Sequence, residues 1–308
     1  MRTRSVLSVP GGNTRMIEKA LASAADVVML DLEDATAPAQ KNAARQVVIE
    51  SLLHGDWQGK PRTFRCNGLD TQWMYRDIVE VLQGTECGVD RIVVPKAADA
   101  ADVRAIVVLV RQIELEFGRT TPTELDIQIE TASAVVHCEA IAAADSRVAA
   151  ITFGPGDFAA SAGYPLAGIG LADRWDDAYP ASRWHYPMSR ISIAAHAAGI
   201  DAIDGPFAAF RDLDGLRTSA MNARALGFDG KWCIHPDQIV VVNDVFTPSD
   251  EEIEHARQVL RAYREATEMG VGAIAIGTEM IDAANLRMAR RTLISAGEPD
   301  DLAGPEGP

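Results

Sequence analysis

The chain has 308 residues, 47% of them hydrophobic, which is enough for one sizeable core. A net charge of −15 argues against a general field that gathers nucleic acid or anionic lipid, so an anionic ligand has to be captured by local cations and backbone N–H groups. Cys66, Cys87, Cys138 and Cys233 stand far apart with no CxxC pair, which leaves no zinc knuckle or redox motif and reads as small buried hydrophobes in a reducing compartment.

Short apolar runs rich in β-branched residues alternate with longer stretches of helical period, the pattern of βα units around a parallel sheet. The opening MRTRSVLSVPGG is basic but lacks the apolar core and cleavage site of a signal peptide, and no run of about 20 apolar residues follows. A cytoplasmic protein that engages neither membrane nor nucleic acid is expected. Ser5 to Val9 predicts a first strand and Thr14 to Ala22 a helix, with Pro10-Gly11-Gly12 turning between them. Val27 to Asp31 and Pro38 to Leu53 form the second pair, Thr63 to Cys66 and Trp73 to Leu82 the third. Arg91 to Val94 and Asp99 to Phe117 form the fourth.

Asp126 to Ile129 and Ala150 to Phe153 are strands five and six, separated by an alanine-rich helix over Ala134 to Ala144. Gly163 to Ser182, rich in Gly, Pro, Asp and aromatic residues, reads as a long irregular loop. Arg183 to Ala198 restores a helix. Asp201 to Asp204 gives a seventh strand, Leu213 to Leu226 a helix, Gly230 to Ile234 an eighth strand and Pro236 to Val245 its helix. Eight such units predict a TIM (β/α)8 barrel over residues 1–247. A charged helix from Asp250 to Met269, an apolar stretch from Ala273 to Ile276 and a helix from Ala283 to Ser295 predict an appended C-terminal helical flap over 248–296. Residues 297–308, acidic and rich in Pro and Gly, read as a disordered tail.

Charges collect where the strands end: Asp31, Glu33 and Asp34, then Arg65, Lys96, Glu130 and Asp157. Only strand tips reach solvent in a parallel barrel, so the site is expected there. Glu130 and Asp157, on consecutive strands, can converge on one ion, and two hard oxygens with the rest left to water and substrate suit Mg²⁺. Helix capping or ion pairing is the competing reading for each. Glu33 and Asp34 beside them would repel without a cation; a place around metal-bound water competes with a cap at Asp34. Arg65 suits a carboxylate or an oxygen gaining negative charge, with a structural bridge to Glu33 as its alternative.

Gly154-Pro155-Gly156 exposes successive N–H groups that could cradle an anion, or is a plain turn. Pro10-Gly11-Gly12-Asn13 opens a helix bearing Arg15 and Lys19, a candidate phosphate dock. Lys96 could form a Schiff base, but beside a metal site a phosphate or carboxylate contact fits better. His185 and His235 are the only histidines expected near a pocket, with a hydrogen-bonded structural role as the favoured reading for each. No HExxH, GxSxG, P-loop or GxGxxG pattern is present.

The segments SVPGGNTRMIEKALASAADVVMLDLEDATAP, RCNGLDTQWMYRDIV, IVVPKA, IQIETASAV, ITFGPGDFAAS and GKWCIHPDQIVVVNDVFTPS together resemble the HpcH/HpaI aldolase and citrate lyase beta-subunit superfamily, most closely its malyl-CoA lyases. The resemblance runs from about Ser5 to about Leu293 in six ordered motifs. It implies that Glu130 and Asp157 bind Mg²⁺, with Mn²⁺ as a substitute, that Arg65 meets the 2-oxo acid, and that Glu33 and Asp34 hold metal-bound water. It further implies a homo-oligomer, trimer or hexamer, in which the flap of one subunit brings the acid/base Asp282 to a neighbour's site. Many relatives carry Arg directly after the PG turn to meet the coenzyme A phosphates, whereas this chain has Asn13 there and Arg15 two positions on.

The implied reaction is reversible cleavage of a 3-hydroxyacyl-CoA, (S)-malyl-CoA or beta-methylmalyl-CoA, to glyoxylate and acetyl-CoA or propionyl-CoA. Mg²⁺ and Arg65 would polarise the aldehyde, Gly156 and Asp157 would seat the acid, and Arg15, Lys19 and Lys96 would take phosphate or carboxylate groups. Asp282 would remove the thioester α-proton. The alternatives are a citramalyl-CoA lyase or citrate lyase beta-subunit-like enzyme with a pyruvate or oxaloacetate product, a malyl-CoA thioesterase, and a non-catalytic CoA-binding subunit of a lyase complex.

Overall fold

The computed structural model describes residues 2–179, 182–268, 274–276 and 279–298. The chain divides into two compact units, Thr3–Phe246 and the segment from Thr247 onward together with Met1–Arg2. In the first, β1 (Ser5–Pro10), β2 (Val27–Asp31), β3 (Arg62–Arg65), β4 (Arg91–Val94), β5 (Glu124–Ile129), β6 (Val148–Phe153), β7 (Asp201–Asp204) and β8 (Gly230–Cys233) pair in chain order. Every neighbouring pair is parallel, and β8 closes back onto β1.

Each crossover carries at least one helix: α1 (Thr14–Leu21), α2 (Lys41–His54), α3 (Met74–Gly84), α4 (Ala100–Glu116), α5 (Ala132–Val136), α6 (Cys138–Ala142), α7 (Pro155–Ala162), α8 (Arg174–Ala178), α9 (His185–Ala198) and α10 (Leu213–Ala225). Helix α11 (Asp237–Phe246) completes the round. The helices cover the outside of the barrel because their apolar residues recur at helical spacing. In α4, capped by the Asp99 side chain, Val103, Ile106, Val107, Val110 and Ile113 are buried on one stripe. Each such side chain is worth about 1.5–3 kcal/mol of burial. Inside the barrel Val6, Val27, Met29, Val93, Ala150, Ile203 and Trp232 form a separate apolar plug.

The two-residue period of a strand carries this inward face to the C-terminal rim, where it turns polar. Val27 and Met29 are followed on the same face by Asp31, Thr63 by Arg65, and Asp126 by Gln128 and then Glu130. The rim charges are thus the last inward positions of strands whose earlier inward positions fill the core.

Three local expectations change. The alanine-rich helix is two short helices, α5 and α6, because His137 leaves helical geometry (φ −107°, ψ 13°). The GPG segment opens α7, with Pro155 at its first position. The long loop contains α8, whose cap Asp173 accepts from the Trp175 N–H while the Asp176 side chain reaches back to the Asp173 N–H. Arg183 ties that segment down through ion pairs of 2.9 Å to Asp173 and 3.0 Å to Asp176.

In the second unit α12 (Asp250–Glu268) and α13 (Ala283–Ala296) pack around Val259, Leu260, Ile281 and Leu293. Two three-residue strands, β9 (Ile274–Ile276) and β10 (Glu279–Ile281), pair antiparallel; β10 was not expected. Of the segment expected as a tail, Gly297 caps α13 and Glu298 pairs with Arg257. Its remainder, 299–308, lies outside the described residues, as do Met269 and Ala273. Among the described residues no helix is long and apolar enough to cross a membrane.

Candidate active site

The site is built outward from Asp31, the last residue of β2. Its Oδ1 and Oδ2 accept from Nε and Nη2 of Arg65, the last residue of β3, at 2.7 and 2.6 Å. The same carboxylate takes the Glu33 and Ala35 N–H groups at 2.8 and 3.2 Å. Lys41, reaching in from α2, donates to the Leu32 and Glu33 carbonyls, each at 2.7 Å. The loop bearing Glu33 and Asp34 is therefore held from both sides, and Arg65 is locked in a planar two-bond fork. The Trp232 ring lies 5.3 Å from the guanidinium carbon. Burial works against the Arg65 charge, but the Asp31 carboxylate outweighs it and holds its pKa above the ordinary value.

The third guanidinium nitrogen, Nη1, faces the centre of the rim. It lies 2.6 Å from Glu33 Oε2 and 3.7 Å from Asp34 Oδ2, and donates to Gln128 Oε1 at 3.3 Å. Lys96, just past β4, adopts a left-handed backbone (φ 58°) that is uncommon for a side chain other than Asn, Asp or Gly. In that conformation its N–H donates to Glu130 Oε1 at 2.8 Å, while Nζ lies 3.1 Å from Glu33 Oε1 and 4.0 Å from Asp157 Oδ1. Burial opposes the Lys96 charge, yet Glu33 beside it raises its pKa overall.

Glu130 follows β5 and is 2% exposed. Besides the Lys96 N–H it accepts from Gln128 Nε2 at 3.2 Å. It fits only because position 154 is glycine: a Cβ there would stand 2.4 Å from Glu130 Cβ and 2.7 Å from its Oε2. Gly154 caps α7, which places Asp157 in the first helical turn. At β1, Gly11 likewise lets the turn close onto Asp31, whose carbonyl would be 2.9 Å from an added Cβ.

Burial, then Glu33 and Asp157, push Glu130 up to about 8, with Arg65 partly opposing. Burial also raises Glu33, against Arg65. Both Glu33 oxygens are buried, with Lys96 Nζ paired to Oε1 and Arg65 Nη1 to Oε2. Five carboxylates, Asp31, Glu33, Asp34, Glu130 and Asp157, thus face three cations, Arg65, Lys96 and Lys41. This set has room for positive charge and offers only hard oxygen donors, which fits Mg²⁺. Among the described residues no three His, Cys, Asp or Glu side chains form a ready-made metal cage; Mg²⁺ commonly takes one or two carboxylates and keeps water.

Of the residues singled out in the sequence, Glu33, Asp34, Arg65, Lys96, Glu130 and Asp157 come together on this rim. Gly156 adjoins Asp157, and the Ile169 side chain packs against it. Arg15 and Lys19 stand exposed on α1, outside this bonded cluster. Asn13 is the α1 cap, accepting from the Met16 N–H at 3.1 Å. Asp282 lies in the second unit and caps α13: its Oδ1 accepts from Ala284 and Asn285 N–H at 2.7 and 3.3 Å. His235 stacks on Phe210 at 4.9 Å and pairs with Asp237; His185 begins α9. Asn67, just past β3, is pinned by Asp77, which Arg45 holds in turn.

Asp31 was counted among the strand-end charges but given no role, and Gln128 and Trp232 were not assigned to the site from the sequence. The strand period carries the signal for Gln128, which lies two residues before Glu130 on the same inward face. Nothing local in the sequence announces the Trp232 contact.

Residues 4–236 match the family model described as HpcH/HpaI aldolase/citrate lyase. Over 297 residues the chain is 41% identical to the L-malyl-CoA/beta-methylmalyl-CoA lyase of Cereibacter sphaeroides, covering 93% of this chain and 92% of that one. It is 34% identical over 293 residues to a (3S)-malyl-CoA thioesterase from the same species, covering 95% and 94%. The crystal structure of CitE from Mycobacterium tuberculosis with magnesium, acetoacetate and coenzyme A superposes with a TM-score of 0.74 at 35% identity. It covers 96% of this chain and 98% of its own.

Proposed function

The chain belongs to the HpcH/HpaI aldolase/citrate lyase family, and on that premise we propose that it is a Mg²⁺-dependent carbon–carbon lyase. It reversibly cleaves a 3-hydroxyacyl-CoA such as (S)-malyl-CoA or beta-methylmalyl-CoA to glyoxylate and acetyl-CoA or propionyl-CoA. The observation that carries this reading is the juxtaposition of Arg65, fixed by two bonds to Asp31, with the carboxylates of Glu130 and Asp157 on one barrel rim. Glu130 and Asp157 are the residues that would hold Mg²⁺, or Mn²⁺ in its place, and the cation supplies Lewis-acid polarisation of the oxo acid's carbonyl.

The protein's own groups do the rest. Nε and Nη2 of Arg65 stay committed to Asp31, so Nη1 is the nitrogen presented to the oxo acid, where it offsets charge growing on the carbonyl oxygen as the new bond forms. That charge is absent from the bound reactants, so the contact favours the transition state. The first-turn N–H groups of Gly156 and Asp157 at the α7 N-terminus receive the oxo acid carboxylate. Glu33 and Asp34 accept from water around the cation. Lys96, with Arg15 and Lys19 from α1, supplies positive charge for the carboxylate or coenzyme phosphates.

Asp282 removes the α-proton of the acyl-CoA, delivered by the second unit of a neighbouring subunit in a homo-oligomer, trimer or hexamer. The cap bonds engage Oδ1 alone, which orients the carboxylate while Oδ2 lies outside the cap. The four cysteines are free and buried, which supports action in the cytoplasm.

The thioesterase relative favours one second reading, in which malyl-CoA is hydrolysed to malate. Incubation with Mg²⁺, acetyl-CoA or propionyl-CoA, and glyoxylate or pyruvate tests both, with products identified by mass. A 3-hydroxyacyl-CoA from glyoxylate with the coenzyme retained supports the lyase. Free coenzyme A with malate supports the hydrolase, a pyruvate adduct a citramalyl-CoA lyase, and no adduct from any pair overturns the assignment.

A further inference from the structure

Gln128 is hydrogen-bonded to both Arg65 and Glu130. Its Oε1 accepts from Arg65 Nη1 at 3.3 Å and its Nε2 donates to Glu130 Oε2 at 3.2 Å. It lies on β5 two residues before Glu130, on the same inward face, and is 2% exposed. The amide has one chemically consistent orientation here, because a guanidinium can only donate, so Oε1 faces Arg65 and Nε2 faces Glu130. Swapping its ends would set donor against donor at the buried guanidinium, at a cost the interior does not tolerate. The amide therefore reads both neighbours at once.

We propose that Gln128 is a positioning residue that bridges the guanidinium facing the 2-oxo acid to the carboxylate that holds the cation, fixing their separation and relative orientation. This rests on the lyase reading of the same site. Arg65 has Asp31 to hold two of its nitrogens, but Nη1, the one turned to the oxo acid, has only Glu33 and Gln128 within 3.5 Å. Glu130 is anchored on Oε1 by the Lys96 N–H, and Gln128 supplies the donor on Oε2 that stops the carboxylate from rotating about its own axis. Partners of this kind, one bond removed from a ligand, set metal affinity by about 10–100-fold. A long-range consequence follows: a shift at either end is transmitted through a single planar amide to the other.

The test compares Gln128→Met with the unaltered chain. Methionine keeps length and volume inside the barrel but removes both hydrogen bonds, so a residue that merely fills space is replaced without loss. Two readouts are needed: Mn²⁺ affinity by electron paramagnetic resonance without substrate, and glyoxylate KM separately from kcat at saturating Mn²⁺. The bridge predicts Mn²⁺ binding weaker by about tenfold or more and a raised glyoxylate KM, with the thermal midpoint within a few degrees of the parent. Should Gln128→Met fail to fold, Gln128→Asn, which shortens the amide out of reach of both partners, is predicted to show the same two losses. Unchanged Mn²⁺ affinity and KM in the folded variant overturn the bridge. A parent chain that forms no thioester from acetyl-CoA and glyoxylate, yet whose Mn²⁺ affinity still depends on Gln128, supports the bridge and sinks only the lyase reading.

Discussion

Asp31 decides whether Arg65 can be a working cation. Both are almost fully buried, and the guanidinium is kept charged there by a two-bond fork. Replacing Asp31 by Ala strands that charge with Glu33 as its remaining close partner, and is expected to lower unfolding stability by about 3 kcal/mol. Urea denaturation checks this, and a loss under about 1 kcal/mol would show that the fork is not what holds Arg65.

Glu130 carries the pH dependence. Its carboxyl is raised from 4.5 to about 8, so the metal-free protein gains stability from the bound proton at low pH and loses it as the pH climbs through about 8. Mg²⁺ needs the ionised form, so uptake below about pH 8 is expected to release a proton and affinity to rise up to about tenfold per pH unit before levelling. Calorimetry in buffers of different ionisation enthalpy measures the release, and an affinity flat between about pH 6 and 8 would contradict it. At this scale the charged cluster on the rim was readable where a charge ended an apolar run, as at Arg65, Glu130 and Asp157. Gln128 was open to reading only through the strand period, and Trp232 not at all, because its contact with Arg65 is made across the barrel.

Two elements set the reach of these groups. Helix α7 starts at Gly154 with Glu130 lying against it, so Gly154→Ala would force the carboxylate aside. Metal affinity is expected to drop by about tenfold or more while far-ultraviolet circular dichroism keeps its barrel signature; unchanged affinity would mean that Glu130 is not a ligand. The sequence marked this segment as a turn because Gly-Pro-Gly is strong turn punctuation, and missed that Pro at a first helical position starts a helix equally well.

At α13 the cap and the proposed proton transfer share one residue. Asn caps as well as Asp, so Asp282→Asn is expected to keep the second unit folded and Mg²⁺ and glyoxylate binding intact while abolishing turnover. Asp282→Ala should in addition cost about 1 kcal/mol of cap stability. Residual turnover near the parent rate in the Asn variant would remove Asp282 from the chemistry. The neighbouring hairpin strand β10 was illegible because three residues are too few to show a period.

For the whole molecule, short strand-like runs alternating with helical stretches made the barrel legible before any contact was known, most clearly at β2, whose VVMLD is buried throughout because it is covered on the outside and plugged on the inside. The assembly is not written in that pattern. If Asp282 serves a neighbouring subunit, two inactive proteins, Arg65→Met and Asp282→Asn, are expected to regain activity when their subunits are exchanged, because mixed pairs contain complete sites. Mixtures that stay inactive after verified exchange would place both residues in one subunit's site or refute the role of one. The account as a whole turns on the cation. Diffraction from crystals grown with Mn²⁺ and glyoxylate, read at the manganese edge, is predicted to show one ion between Glu130 and Asp157, with glyoxylate touching both it and Arg65. Carboxylates turned apart, with no anomalous peak between them, would contradict it.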